Sequence, residues 1–180
     1  MSQSVDPAIR ERVGRLNERY MLALDTQDME GWLACFDSDG QYFVQGADNA
    51  AAGLPLSLMY DDCYERLEDR VTFVNDIWPG AFEEYQTRHF LQPLVLEPVV
   101  LEPATPASEK AAIDEPERSI LLRAVSNVTV MASDQRGRTN LFITGQYVDT
   151  LRHRDCIALI KERRVVMDTF ATPGVVVYPL

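Results

Sequence analysis

Histidine is scarce in this 180-residue chain, which contains only two. His89 follows Arg88 in the segment YQTRHFLQPL, where a cation and an imidazole meet the start of an apolar run. An imidazole in that position could act as a general acid or base, could bind a metal, or could join two elements by hydrogen bonds. The other histidine, His153, lies in the polar segment LRHRD, which predicts a solvated turn.

Metal chemistry would require ligands at short, regular spacing. Structural zinc and Rieske clusters use closely spaced pairs of cysteine and histidine, whereas Cys35, Cys63 and Cys156 lie far apart. A two-histidine, one-carboxylate iron site would have to use both histidines of the chain. The sequence also lacks a glycine-rich phosphate loop, a G-x-S-x-G elbow and a dinucleotide fingerprint. These observations predict that the chain itself holds no metal and no cofactor.

Several carboxylates have two interpretations. Asp25 falls near the end of the first predicted helix, where it is either a solvated helix end or a general base whose pKa is raised by burial. Asp61 and Asp62 precede the third predicted helix and are typical of N-caps. An enzyme working by proton transfer would draw on Tyr20, Asp25 and His89.

The elements that would position these residues follow from periodicity and turn signals. Apolar residues at spacings of three and four predict helices, and long runs rich in β-branched residues between polar turns predict strands. Helices come first and strands follow, which is an α+β order: a curved, mostly antiparallel sheet with N-terminal helices packed across one face. The prediction is a single domain over 1–180, with helices at about 6–36 and 60–77, strands at about 40–46 and 90–170, and a mobile insertion at about 102–118.

Composition excludes several classes of function. The net charge is −11 and the pI is near 4.6, so a phosphate backbone or an anionic membrane surface would be repelled. No apolar run approaches the roughly 20 residues of a membrane span. The first residues show no apolar stretch of the kind found in secretory signals, and the three cysteines are odd in number. We therefore expect a cytoplasmic protein with reduced thiols that binds neither nucleic acid nor membrane.

One long segment, DDCYERLEDRVTFVNDIWPGAFEEYQTRHFLQPL, resembles the centre of the small (β) subunits of aromatic-ring-hydroxylating (Rieske non-haem iron) dioxygenases. Those subunits carry a D-x-x-x-x-L-x-x-R-V helix, a tryptophan-containing loop and a T-R-H segment entering a strand. The N-terminal LNERYMLALDTQDMEGWLACF and the final MDTFATPGVVVYPL are also similar to the family. The central positions that match are Asp62, Leu67, Arg70, Val71, Trp78, Arg88 and His89.

The resemblance implies a cone-shaped fold of the nuclear-transport-factor-2 or scytalone-dehydratase type. It also implies an α partner that carries a Rieske [2Fe-2S] cluster and mononuclear Fe(II) and receives electrons from NAD(P)H through a reductase. The chain would then be a structural β subunit, self-associating as a trimer within an α3β3 hexamer that hydroxylates a benzoate- or salicylate-type acid. In that role Asp62, Arg70, Trp78, Arg88 and His89 would be structural or interface residues, and the apolar tail 171–180 would be buried in contacts.

A second hypothesis keeps the fold and changes the function. Cone folds also host dehydratases, isomerases and cyclases, so the fold does not decide between assembly and catalysis. A stand-alone enzyme would need Tyr20, Asp25 and His89 gathered in one pocket. The first hypothesis needs them only to support the structure.

Overall fold

The computed structural model describes residues 5–80, 84–99, 119–154, 156–168, 172 and 174–180. The first helix, α1, begins where the sequence predicts. The Oδ1 atom of Asp6 accepts a hydrogen bond from the amide of Ala8 at 2.8 Å, and Pro7 occupies the first turn. The helical elements are α1 (Pro7–Asp25), α2 (Met29–Leu33), α3 (Ala47–Ala51), α4 (Tyr64–Thr72) and a π-helical turn (Phe73–Ile77).

Within the described residues, six strands form one sheet in the order β2-β1-β6-β5-β4-β3. β1 and β6 are parallel, and every other neighbouring pair is antiparallel. The predicted α+β class with a mostly antiparallel sheet is confirmed. The strands are β1 (Phe36–Gly46), β2 (Met59–Asp61), β3 (Tyr85–Pro98), β4 (Ile120–Asp134), β5 (Thr139–Arg154) and β6 (Ile157–Met167).

The prolines of β3 agree with its place at the edge of the sheet. Proline cannot donate to a strand ladder, and the pairing of β3 with β4 shifts between Pro93 and Val95. The turn between β4 and β5 contains Gly137 at φ +77°, a left-handed conformation that glycine adopts without strain. The segment FLQPLVLEPVVL predicts an edge strand or bulges from its prolines, and DQRGR predicts a hairpin-like turn, so both features agree with the sequence.

The helix predicted at about 60–77 begins later than expected. Tyr60 belongs to β2, and α4 starts at Tyr64 with Cys63 as its N-cap, without a side-chain capping bond. The prediction that one of the two preceding aspartates caps this helix is therefore wrong. Both carboxylates bind arginines instead: Arg70 donates to Asp61 through two hydrogen bonds, at 2.5 and 2.9 Å, and Asp62 forms an ion pair with Arg66.

Other boundaries also differ from the prediction. The helices predicted over about 6–36 are present as α1 and α2, which are separated at Gln27 with φ 60°, whereas β1 and β3 begin four to five residues earlier than expected. The predicted mobile insertion at about 102–118 lies outside the described residues.

His153 was expected in a solvated turn, and this was wrong. It is buried near the end of β5, where alternation places Tyr147, Asp149, Leu151 and His153 on the inner face. Its Nε2 atom lies 2.9 Å from Nη1 of Arg12. Burial, followed by the charge of that arginine, holds the pKa of His153 below its usual value.

The core lies between the inner face of the sheet and α1, α2 and α4. Its centre is aromatic: the ring of Trp32 contacts those of Phe36 and Tyr42 edge-on, at centroid distances of 4.9 and 5.6 Å. The end of the C-terminal segment enters this core. Val177 and Leu180 are 2% and 1% exposed.

Candidate functional site

Asp25 and His89 meet where the end of α1 crosses the beginning of β3. The Nδ1 atom of His89 lies 2.6 Å from Oδ1 of Asp25, and the backbone amide of His89 donates to Oδ2 at 3.2 Å. The imidazole is fully buried, and the Asp25 side chain is 17% exposed. Two groups that are 64 residues apart in the sequence thus form a buried acid–imidazole pair.

The neighbours of His89 on β3 bind the same helix end. The side chains of Gln86 and Arg88 donate to the backbone carbonyl of Asp25 at 2.5 and 3.2 Å, and Thr87 donates to its carboxylate at 3.3 Å. The last carbonyls of a helix have no partner within the helix, and cationic side chains there also favour its negative end. We call the group Asp25, Gln86, Thr87, Arg88 and His89 the α1–β3 junction.

The pKa and the burial of Asp25 differ from both interpretations of the sequence, a solvated helix end and a general base with a raised pKa. Burial raises its pKa, but the hydrogen bonds from the His89 side chain and backbone outweigh burial and hold the pKa below the usual range. The carboxyl is therefore ionised at neutral pH, and Nδ1 of His89 carries the donated proton. Asp25 is neither a solvated helix end nor a carboxyl with a raised pKa. Within the described part of the chain, the buried Nε2 atom of His89 has no hydrogen-bond partner.

Tyr20, the third residue of the proton-transfer hypothesis, donates its hydroxyl hydrogen bond away from Asp25 and His89. Its hydroxyl binds the carbonyl oxygen of Leu180 at 3.0 Å, and the hydroxyl of Tyr42 binds the same oxygen at 3.1 Å. The amide of Leu180 in turn donates to Tyr42 at 2.7 Å. Burial raises the pKa of Tyr20, which keeps its hydroxyl protonated. Tyr20 is thus bound to the C-terminal segment.

A buried arginine at the centre of the core was not anticipated. Arg163 donates to both carboxylate oxygens of Asp149, at 2.9 and 2.7 Å, and to Oδ1 of Asn17 at 3.0 Å. Its guanidinium lies between the rings of Tyr20 and Tyr147, at 4.0 and 4.2 Å from their centroids. The two-residue alternation of β6 could have revealed it, because Arg163 shares a face with the apolar positions that follow it.

The remaining family-motif residues lie away from the junction. Arg70 pairs with Asp61, and Asp62 forms an ion pair with Arg66 at 3.3 Å. Trp78, at the end of the π-helical turn, is 7% exposed. The structure brings Arg88 and His89 together with Asp25, but it does not bring Asp62, Arg70 and Trp78 into that group.

Trp78 lines two cavities on the surface. The larger, about 480 Å³, lies between the π-helical turn, the β4–β5 hairpin and the C-terminal segment. The smaller, about 200 Å³, shares Trp78 and Glu84 with it. The larger cavity is lined by Trp78, Glu84, Tyr85, Ala132, Asp134, Arg138, Asn140, Phe142, Gly174 and Val175.

Metal-binding clusters and membrane-spanning helices are both absent from the described residues. In the described ranges, no group of three or more histidine, cysteine, aspartate or glutamate side chains is placed to hold a metal ion. None of the helices in those ranges has the length and apolar character needed to cross a bilayer.

Comparison with known proteins identifies relatives of similar length. The chain is 26% identical over 169 residues to terephthalate 1,2-dioxygenase, terminal oxygenase component subunit beta 1, of Comamonas sp., covering 94% of this chain and 97% of that one. It is 26% identical over 165 residues to the anthranilate 1,2-dioxygenase small subunit of Burkholderia cepacia, covering 92% and 90%.

The fold has solved counterparts. The β subunit of benzoate 1,2-dioxygenase from Burkholderia mallei superposes with a TM-score of 0.61 at 17% identity, covering 92% of each chain. The family model described as ring hydroxylating beta subunit matches residues 9–101, more than half of the sequence, and this range includes the whole α1–β3 junction. The chain therefore belongs to the ring hydroxylating β-subunit family.

Proposed function

We propose that this chain is the structural β subunit of an aromatic-ring-hydroxylating dioxygenase and performs no catalysis itself. The observation that carries the proposal is the α1–β3 junction. Arg88 and His89, the most chemically suggestive residues of the family motif, are bound to the end of α1. The imidazole is buried, and it is not among the residues that line the two cavities beside Trp78.

The chemistry would belong to the partner. We propose an α oxygenase subunit with a Rieske [2Fe-2S] cluster and mononuclear Fe(II), supplied with electrons from NAD(P)H by a reductase, in an α3β3 assembly in the cytoplasm. The family membership of this chain supports an oxygenase partner. The β subunits would contact one another as a trimer and provide the α subunits with a rigid base.

The substrate would be an aromatic carboxylic acid of the benzoate or salicylate type. The names of the relatives support this class, because terephthalate and anthranilate are both aromatic carboxylates. The residues that contact the ring would lie in the α subunit, so this part of the proposal rests on the relatives alone.

A second candidate function rests on a specific observation. An imidazole whose Nδ1 is bound to an ionised carboxylate at 2.6 Å, and whose Nε2 has no partner among the described residues, has the orientation of a general base. A dehydratase, isomerase or cyclase could use such an Asp25–His89 pair. This candidate would further require a path by which substrate reaches Nε2. It would also require Tyr20 to take part in proton transfer, although its hydroxyl is bound to Leu180.

Affinity purification of the tagged chain from its native host, grown on benzoate or salicylate, separates the candidates. We expect a larger partner in equal amount, iron in the purified complex and a Rieske-type visible spectrum.

Variant complexes with Arg88→Ala or His89→Ala should lose yield or stability while each surviving complex keeps its turnover. A chain that is isolated alone, free of iron and fully stable would contradict the subunit function. Turnover by that isolated chain, abolished by His89→Gln, would establish the second candidate.

A further inference from the structure

We propose that the 480 Å³ cavity beside Trp78 receives a guanidinium side chain of the oxygenase subunit. This inference rests on the proposed function and names the surface that would serve it. Aromatic rings line the cavity: Trp78, Tyr85 and Phe142, of which the last two lie 5.4 Å apart between centroids. The faces of such rings attract cations, arginine more often than lysine.

The charged residues that line the cavity favour a positively charged side chain as its occupant. Asp134 and Arg138 both line it, but they neutralise one another through an ion pair at 3.0 Å. Glu84 is exposed, lines this cavity and the smaller one beside it, and has no cation paired with it among the described residues. Among the described residues, the pocket therefore combines aromatic walls with the carboxylate of Glu84, which is not neutralised by an ion pair, and such a combination favours a cation.

The surroundings of the cavity have the anatomy of a protein interface. Val175, which lines the cavity, and Ile77, which precedes Trp78 in the sequence, are 53% and 64% exposed and offer apolar surface for a partner to cover. The chain carries a net charge of −11, so a partner face that binds it gains from positive charge. An arginine inserted in an aromatic pocket and surrounded by apolar contacts is a common hot spot.

The occupant is assigned to the oxygenase subunit and not to a second copy of this chain. Two copies that met symmetrically through this face would bring their Glu84 carboxylates together, whereas a basic face on a different subunit would be attracted. Trp78 also belongs to the segment in which this chain resembles its family. Among the five residues predicted to be structural or at an interface, Trp78 is the one that lines this cavity.

The first experiment measures the affinity of this chain for the oxygenase subunit with which it is purified. Glu84→Lys should weaken binding by at least about tenfold, roughly 1.4 kcal/mol, and Glu84→Gln by a smaller factor. Glu18→Lys, at an exposed position of α1, is the matched control and should bind like the wild type. Added salt should weaken the wild-type complex more than the Glu84→Gln complex.

A photoreactive benzoyl-phenylalanine placed at position 175 then identifies the occupant. We expect a cross-link to an oxygenase-subunit segment that contains an arginine, and replacing that arginine by glutamine should remove most of the effect of Glu84→Lys. Equal affinities of the Glu84 variants and the control, or a cross-link only to a second copy of this chain, would overturn the inference while leaving the proposed function intact. A wild-type chain that binds no oxygenase subunit would instead overturn the proposed function.

Discussion

Replacing His89 by alanine should lower the free energy of unfolding by about 3 kcal/mol. A hydrogen bond to a charged group contributes about 1.5–3 kcal/mol, and the 2.6 Å bond to Asp25 is of this kind. Deleting the buried ring leaves a cavity that destabilises the fold by about 1 kcal/mol more. The partial exposure of Asp25 reduces the contribution of the hydrogen bond, because solvent screens the charge. For a domain of this size, 3 kcal/mol corresponds to a fall in Tm of about 6–12 °C.

The measurement is urea unfolding of four proteins in a double-mutant cycle: wild type, His89→Ala, Asp25→Asn and the double variant. The coupling energy between the two sites should be about 1–3 kcal/mol, because His89→Ala removes the charge-assisted hydrogen bond and Asp25→Asn removes the charge that strengthens it. His89→Asn is the control variant, since its amide keeps an N–H donor near the position of Nδ1, and it should lose only about 1 kcal/mol. A loss below about 0.5 kcal/mol for His89→Ala, or a coupling near zero, would refute the structural function of this pair.

The pH dependence gives an independent check on Asp25. Its pKa in the folded chain lies below the ordinary value of about 3.9. The stabilisation is therefore fully present above that ordinary value and is lost as the pH falls through the lower, folded-state pKa. The difference in stability between the wild type and Asp25→Asn should be constant at neutral pH and shrink below about pH 4. A difference that grew on acidification would contradict this sign.

Three further predictions concern other parts of the fold, and urea unfolding measures each of them. Arg163→Met should cost about 3–5 kcal/mol because it leaves the Asp149 carboxylate buried without its partner, and Arg163→Met combined with Asp149→Leu should recover most of the loss. Arg70→Ala should cost about 2 kcal/mol by removing both hydrogen bonds to Asp61, whereas an equal loss in an Asp61→Asn background would show that the pair is not the cause. Gly145→Ala should cost more than 2 kcal/mol, because its Cβ would lie 2.2 Å from the carbonyl oxygen of Val166 across the β5–β6 ladder, and a stability like that of the wild type would contradict the close approach.

The order of elements could be predicted from the sequence because it depends on local signals. The stripe from Val13 to Leu24 and the cap at Asp6 determine α1, and alternation determines the long strands. The prolines of β3 also indicated the edge of the sheet, since a missing N–H is tolerated there. The family resemblance was carried by residues in sequence order, so it too could be found before the fold was known.

Side-chain partners that are distant in sequence were not accessible in the same way. Local rules assigned the aspartates before α4 to capping, and only the tertiary structure placed Arg70 against Asp61. The same rules assigned His153 to a turn, because polarity outweighed an alternation that continues to the end of β5. Arg163 was missed since a charged residue in a strand is expected to face water.

What the sequence determined by itself is the class of fold, the family and the identity of the residues worth examining, His89 above all. What the tertiary structure decided is the environment of those residues. The pKa of Asp25 is lowered and not raised because His89, 64 positions away, donates to it from another element. Periodicity and turn signals act over a few residues, whereas the junction between α1 and β3 forms only when the whole sheet is assembled. The protonation state of Asp25 and His89 therefore depends on the tertiary structure.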